Sequence, residues 1–169
     1  VILETLEKVK IVHRDINVEN VRIDDSGNMI LIDFETAIHC KHSSNKYGTS
    51  GASIYHAPEI LDYGCSYKSD LWSVGILILE LCGCHDSQNL TGVYPRPDRV
   101  PVCVWNVLER IFRPVGERVE VTKLLDDIWF AGLDRTTIWS YLPQLNNIRN
   151  ISSEKGIRVR GLVKNHKCN

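Results

Sequence analysis

The stretch that decides the fold is His13-Arg14-Asp15-Ile16-Asn17-Val18-Glu19-Asn20, which is followed in the chain by Asp33-Phe34-Glu35. Between these two stretches, the segments Val21-Arg22-Ile23 and Met29-Ile30-Leu31-Ile32 flank the turn-forming sequence Asp24-Asp25-Ser26-Gly27-Asn28. Two short segments rich in β-branched and aliphatic residues, separated by Asp, Ser, Gly and Asn, predict a β-hairpin. A hairpin returns the chain to its starting end, so we expect the polar residues that precede and follow it to meet in one cleft.

These polar residues suit the chemistry of magnesium-bound phosphate. Asp15, Asn20 and Asp33 supply two carboxylates and an amide. Hard cations prefer oxygen ligands of this kind, and a second carboxylate can orient a hydroxyl nucleophile and accept its proton. The hairpin therefore predicts a site for phosphoryl chemistry.

Composition and charge narrow the class of protein. The 169 residues are 43% hydrophobic and 24% charged, which is ordinary for a globular domain and argues against a disordered or fibrous chain. A net charge of −1 argues against nucleic acid as the main partner, although the segment 152–169 is basic. The longest apolar run, at 71–79, is too short to cross a membrane, and no signal peptide is visible. We therefore expect a cytoplasmic or nuclear protein, with its six scattered cysteines as free thiols.

An ordered series of motifs extends the first stretch. Ala57-Pro58-Glu59 follows the Asp33 motif, Asp70-Leu71-Trp72-Ser73-Val74-Gly75 opens an apolar run, and Arg118 stands shortly before Trp129. In this order the motifs resemble the C-terminal lobe of eukaryotic protein kinases of the Ser/Thr type. The resemblance implies a mainly α fold with a short β-hairpin at the catalytic cleft, covering residues 1–130. For residues 131–169 we expect an extension, first a helix and then a flexible basic tail.

The resemblance also implies roles for individual residues. Asp15 would orient the substrate hydroxyl, while Asn20 and Asp33 would hold Mg²⁺ and ATP. Arg14 would sense a phosphate on the activation segment, the stretch between Asp33 and Glu59, because its guanidinium matches phosphate oxygens. Purely structural roles fall to His13, Phe34, Asp70, Glu59 and Arg118, the last two as a buried ion pair.

Four residues depart from the family pattern, and all are expected to face the cleft. Asn17 stands where the family has a catalytic lysine, so a cation beside the transferred phosphoryl group is replaced. Arg22 stands at the position where the family has an apolar residue that forms the floor of the adenine pocket. Strand alternation agrees, since it would turn Val21 and Ile23 to the core and Arg22 into the cleft. Glu35 replaces a glycine and Ala52 a threonine.

Two functional hypotheses follow, together with a third possibility. In the first, the chain is a fragment of a Ser/Thr protein kinase and is inactive alone. An N-terminal lobe, supplied in cis or trans, would complete it, and the complete kinase would use ATP and Mg²⁺ to phosphorylate a protein substrate. In the second, the four departures make it a pseudokinase that binds or regulates another kinase. A decayed gene product without function is the third possibility. None of the three requires nucleic acid or a membrane.

Overall fold

A computed structural model describes residues 2–25, 29–39, 53–84 and 96–126, and the backbone of 157–158. The predicted helix at 133–145, Ala52 and the candidate phosphorylation sites of the activation segment (Ser43, Ser44, Thr49 and Ser50) lie outside these residues. The helices are α1 (Ile2–Lys8), α2 (Ile60–Tyr63), α3 (Tyr67–Leu81), α4 (Val102–Ile111) and α5 (Val121–Leu124). The strands are β1 (Ile11–Val12), β2 (Val21–Ile23), β3 (Met29–Leu31), β4 (Ile38–His39) and β5 (Ile157–Arg158).

The strands pair antiparallel in two small sheets. β1 pairs with β4, and β3 lies between β2 and β5. The predicted β2–β3 hairpin is confirmed, with Val21 opposite Leu31 and Ile23 opposite Met29. The fold therefore combines helices with two small antiparallel sheets, whereas the sequence predicted a mainly α fold with one hairpin.

The core is built around α3. This helix starts in a capping box, in which Ser66 accepts from the Ser69 amide and the Ser69 hydroxyl accepts from the Ser66 amide. Leu71, Trp72, Ile76, Leu77 and Leu79 are buried on it, as the apolar run predicted. Among the described residues, no helix has both the length and the apolar character that a membrane crossing requires.

A buried ion pair ties the segment before α2 to the segment after α4. The Arg118 guanidinium binds both carboxylate oxygens of Glu59, at 2.5 and 2.9 Å, and also donates to the Lys68 carbonyl at 2.7 Å. It lies 4.8 Å from the centre of the Trp72 ring. The predicted pairing of Glu59 with Arg118 is therefore present, and its bidentate geometry compensates the cost of burying both charges.

Two expectations about single residues were wrong. Ile23 does not share a buried face with Val21: it is 72% exposed, because β2 is only three residues long and its far end extends beyond the core. Cys103 is disulfide-bonded, whereas Cys65, Cys82 and Cys84 are free thiols as expected.

The carboxylate of Asp70, in the first turn of α3, holds the loop that follows β1. One oxygen accepts from the His13 amide at 2.7 Å and the other from the Arg14 amide at 2.9 Å. Asp70 is only 2% exposed, and burial raises its pKa to about 7, although the two amides and the Arg14 charge act in the opposite direction. His13 also contacts Phe34, and their rings lie edge to face with centres 4.6 Å apart, so three residues that were expected to have structural roles are connected.

The raised pKa makes the stability of the fold depend on pH in a predictable direction. Between about pH 4 and pH 7 the folded protein holds a proton on Asp70 that the unfolded chain releases. The contribution of Asp70 to the free energy of unfolding therefore falls as pH rises, by at most about 1.4 kcal/mol per pH unit. It is fully present below the ordinary value of 3.8 and lost above the folded value of about 7. Burial lowers the pKa of His13, which acts in the opposite direction below about pH 6.5. We therefore predict that the difference in unfolding free energy between wild type and Asp70→Asn decreases from pH 5 to pH 8.

Urea unfolding of both proteins across this pH range measures that difference. The contribution of His13 to the pH dependence cancels, because both proteins contain this residue. A difference that stays constant with pH would contradict the assignment of the titration to Asp70.

Candidate functional site

The loop between β1 and β2 brings the predicted site residues together around one carboxylate. The Asn17 side-chain amide donates to one oxygen of Asp15, and the Asn20 side-chain amide donates to the other, each at 2.9 Å. Asn20 also donates to the Asp15 backbone carbonyl at 2.8 Å. Two amides thus fix the orientation of the Asp15 carboxylate. Each of its oxygens keeps a second lone pair that can accept another hydrogen bond.

Asn17 does more than contact Asp15. Its side-chain oxygen accepts from the amides of Glu19 at 2.8 Å and Asn20 at 3.0 Å, which caps the 3₁₀ turn at Val18–Asn20. Asn17 is 7% exposed, so its polar atoms need these partners. From the sequence, Asn17 was interpreted only as the loss of a cation. The structure shows in addition that it connects Asp15 to the turn that carries Asn20.

Asp33 is brought to the same region by the hairpin. The Ile32 amide donates to the Asn20 carbonyl at 2.9 Å, which sets the start of the following segment beside the loop. Asp33 itself has a φ of 61°, a left-handed conformation that is uncommon for a residue with a side chain. Such strain is often retained at functional sites, where the surrounding structure enforces it.

The buried His13 ring is influenced electrostatically by both Asp15 and Asp33. Burial lowers the pKa of His13, while the Ile32 carbonyl and the charges of Asp15 and Asp33 act to raise it. Both carboxylates are therefore within electrostatic reach of one ring. The His13 Nε2 lies 3.0 Å from the Ile32 carbonyl, and Nδ1 lies 3.3 Å from the Asp15 amide. One neutral tautomer, with its proton on Nε2, satisfies both contacts.

The remaining candidates lie around this centre. Arg14 has a φ of 71° and its Nε donates to the Thr36 carbonyl at 2.6 Å, which fixes it beside the start of the activation segment. Arg22 is exposed and donates to the carbonyls of Glu19 and Val21, so its guanidinium folds back on its own strand. Glu35 is exposed, and its amide donates to Asp33 at 3.3 Å.

The donor set fits Mg²⁺ with a phosphate ligand. Because Asp15 offers only acceptors, it is the NH₂ group of Asn20 that faces it, and the Asn20 oxygen points elsewhere. Asn20 and Asp33 thus offer the carbonyl and carboxylate oxygens that Mg²⁺ prefers. Within the described ranges, no group of three or more His, Cys, Asp or Glu side chains is arranged to hold a metal.

Comparison with known proteins connects this arrangement to a family. Residues 2–92 match the family model described as protein kinase domain. A probable serine/threonine-protein kinase of Dictyostelium discoideum is 31% identical over 164 residues, covering 88% of this chain and 25% of that protein. The serine/threonine-protein kinase US3 homolog of Cercopithecine herpesvirus 9 is 38% identical over 90 residues, covering 50% of this chain and 26% of the viral protein. Human serine/threonine-protein kinase 32B is 35% identical over 85 residues, covering 47% of this chain and 20% of the human protein.

The chain therefore spans about a quarter or less of the length of these relatives. The family match covers the Asp15 loop, the hairpin, the Asp33 segment and α3, which are the elements that form the site. The chain belongs to the protein kinase domain family.

Proposed function

We propose that this chain forms the catalytic-loop part of a Ser/Thr protein kinase, with residues 1–130 as the C-terminal lobe and 131–169 as an extension. The single observation that carries the proposal is the fixed Asp15 carboxylate, held by Asn17 and Asn20 at 2.9 Å each. A carboxylate held in this way is suited to accept the proton of a substrate hydroxyl. The glycine-rich loop and strand lysine that cover the nucleotide would come from outside residues 1–169.

Each of the site residues in this chain would have a separate role. Asn20 and Asp33 would hold Mg²⁺ and the ATP phosphates, and ATP bound there supplies the phosphoryl group. Asp15 would orient the serine or threonine hydroxyl of a protein substrate and accept its proton. Asn17 would hold Asp15 and Asn20 in their positions relative to each other, and Arg14 would bind a phosphate on the activation segment. Arg22 would border the adenine site.

A pseudokinase that regulates another kinase is the second candidate, and specific observations favour it. The side chain of Asn17 is fully used by Asp15, Glu19 and Asn20, so this position holds a neutral amide where a phosphoryl group would gain from a cation. Glu35 adds an exposed carboxylate next to Asp33, which disfavours phosphate nearby. In this alternative the partner is another kinase and no phosphate is transferred.

The two candidates differ in the effect of Asp15→Asn on phosphoryl transfer. In the native protein that carries this chain, we predict Mg²⁺- and ATP-dependent phosphorylation of serine or threonine, lowered by about 10²-fold or more in Asp15→Asn. The matched control is Asp25→Asn, which removes the same charge from an exposed residue of the hairpin turn. Incorporation of radioactive phosphate into a generic protein substrate measures the activity of both variants. A native protein that transfers no phosphate, or equal activity in the Asp15 and Asp25 variants, would overturn the kinase proposal and favour the pseudokinase.

The capping role of Asn17 makes a separate prediction about stability. Asn17→Ala removes the acceptor for the amides of Glu19 and Asn20, the second of which is buried, so we expect it to lower the unfolding free energy by about 1–2 kcal/mol. Val18→Ala is the control, because Val18 lies in the same turn and is 44% exposed; it is expected to cost less than about 0.5 kcal/mol. Urea unfolding of the two variants measures the comparison. Equal losses would show that the Asn17 side chain does not hold the turn.

A further inference from the structure

β3 is paired along both of its edges. On one side it pairs with β2 to form the hairpin, and on the other it pairs with β5, with Ile30 opposite Arg158 and Leu31 opposite Ile157. The sequence alone placed Ile157 and Arg158 in a flexible tail. Their pairing instead extends the hairpin by a third strand from the C-terminal extension.

Backbone geometry identifies the residue that makes this contact. The Ile32 amide donates to the Asn20 carbonyl, on the β2 side of the sheet. Successive amides along a strand point to opposite edges, so the Ile30 amide also points to β2, while the Leu31 amide points to β5. Leu31 and Ile157 are therefore the pair that exchanges backbone hydrogen bonds, and Arg158 directs its amide away from β3.

The sequence around β5 has the pattern of a strand. Ile157, Arg158, Val159 and Arg160 alternate apolar and basic residues between Gly156 and Gly161. Alternation of this kind between glycines is typical of a short strand with one face turned to a partner. This pattern is independent of the backbone pairing and supports it.

We propose that the edge of β3 is a docking site for the chain's own segment at Ile157–Arg158, which links the C-terminal extension to the strand that leads into Asp33. An uncovered edge would leave the amide and carbonyl of Leu31 without strand partners, and β5 supplies both. Since Ile32 alone separates β3 from Asp33, order in β3 bears directly on where Asp33 stands. The consequence for Mg²⁺ rests on the proposed function, whereas the docking itself does not.

Two proline substitutions in the complete 169-residue chain test the docking. Ile157→Pro removes the amide that faces Leu31. Arg158→Pro removes an amide that points away from β3 and favours an extended conformation at Ile157, so it is the matched control. Amide hydrogen exchange, resolved by residue with NMR, is the measurement.

We expect the Leu31 amide to exchange roughly fivefold to tenfold faster in Ile157→Pro than in wild type. The proline leaves the Leu31 carbonyl without its donor and places a ring against β3, so β5 separates from β3 and the Leu31 amide loses the Ile157 carbonyl as its acceptor. Ile30 and Ile32 should change little in either variant, since β2 still covers them, and Leu31 should keep its wild-type rate in Arg158→Pro. Unchanged exchange at Leu31 in Ile157→Pro would overturn the proposal. Protection of Leu31 that increases with protein concentration would also overturn it, because the strand would then come from a second copy. No step requires activity, so failure of the proposed kinase function would leave this test intact.

Discussion

The contact on which the rest of the site depends is the pair of hydrogen bonds from the His13 and Arg14 amides to the Asp70 carboxylate. These bonds join the loop after β1 to the first turn of α3, the helix that forms the centre of the core. A buried carboxylate that accepts from two backbone amides is satisfied without a counter-charge on its own helix, and the loop it holds cannot shift without leaving it unpaired. Asp15, directly after these residues, is positioned by a helix far from it in sequence.

A second set of contacts fixes the frame around α3 itself. The Arg118 guanidinium reaches Glu59 and the Lys68 carbonyl, and Lys68 in turn donates to the carbonyls of Val115 at 3.2 Å and Arg118 at 3.0 Å. On the other side, Ser73 donates to the Tyr55 carbonyl at 2.8 Å, and the Tyr55 hydroxyl donates to Glu80. The end of the activation segment and the segment after α4 are thus both held on α3. Among the described residues, the buried polar side chains of this scaffold all have hydrogen-bond partners. Of the altered residues, Arg22 and Glu35 are exposed, whereas Asn17 is buried and paired.

Sequence reasoning succeeded where a local pattern or an ordered motif decided the structure. The hairpin followed from its turn residues, α3 from its apolar run, and the roles of Asp70, Glu59 and Arg118 from the family resemblance. It failed at Ile23, because strand alternation assigns a face but does not tell how far the core extends. It also failed at Cys103, since disulfide pairing depends on distances in space.

Two further features carried a signal that was present in the sequence. Asn17 precedes a turn, and asparagine is a favoured capping residue, yet comparison with a lysine drew attention only to the missing charge. The alternation from Ile157 to Arg160 was typical of a strand, although the basic composition around it suggested a solvated tail.

Binding of ADP to the native protein with and without Mg²⁺, measured by calorimetry, tests whether Asn20 and Asp33 form a metal site. If they do, Mg²⁺ should strengthen ADP binding by about tenfold or more, and Asp33→Asn should remove most of that difference. Equal ADP affinity in the presence and absence of Mg²⁺ would show that this loop and hairpin do not assemble a magnesium-nucleotide site.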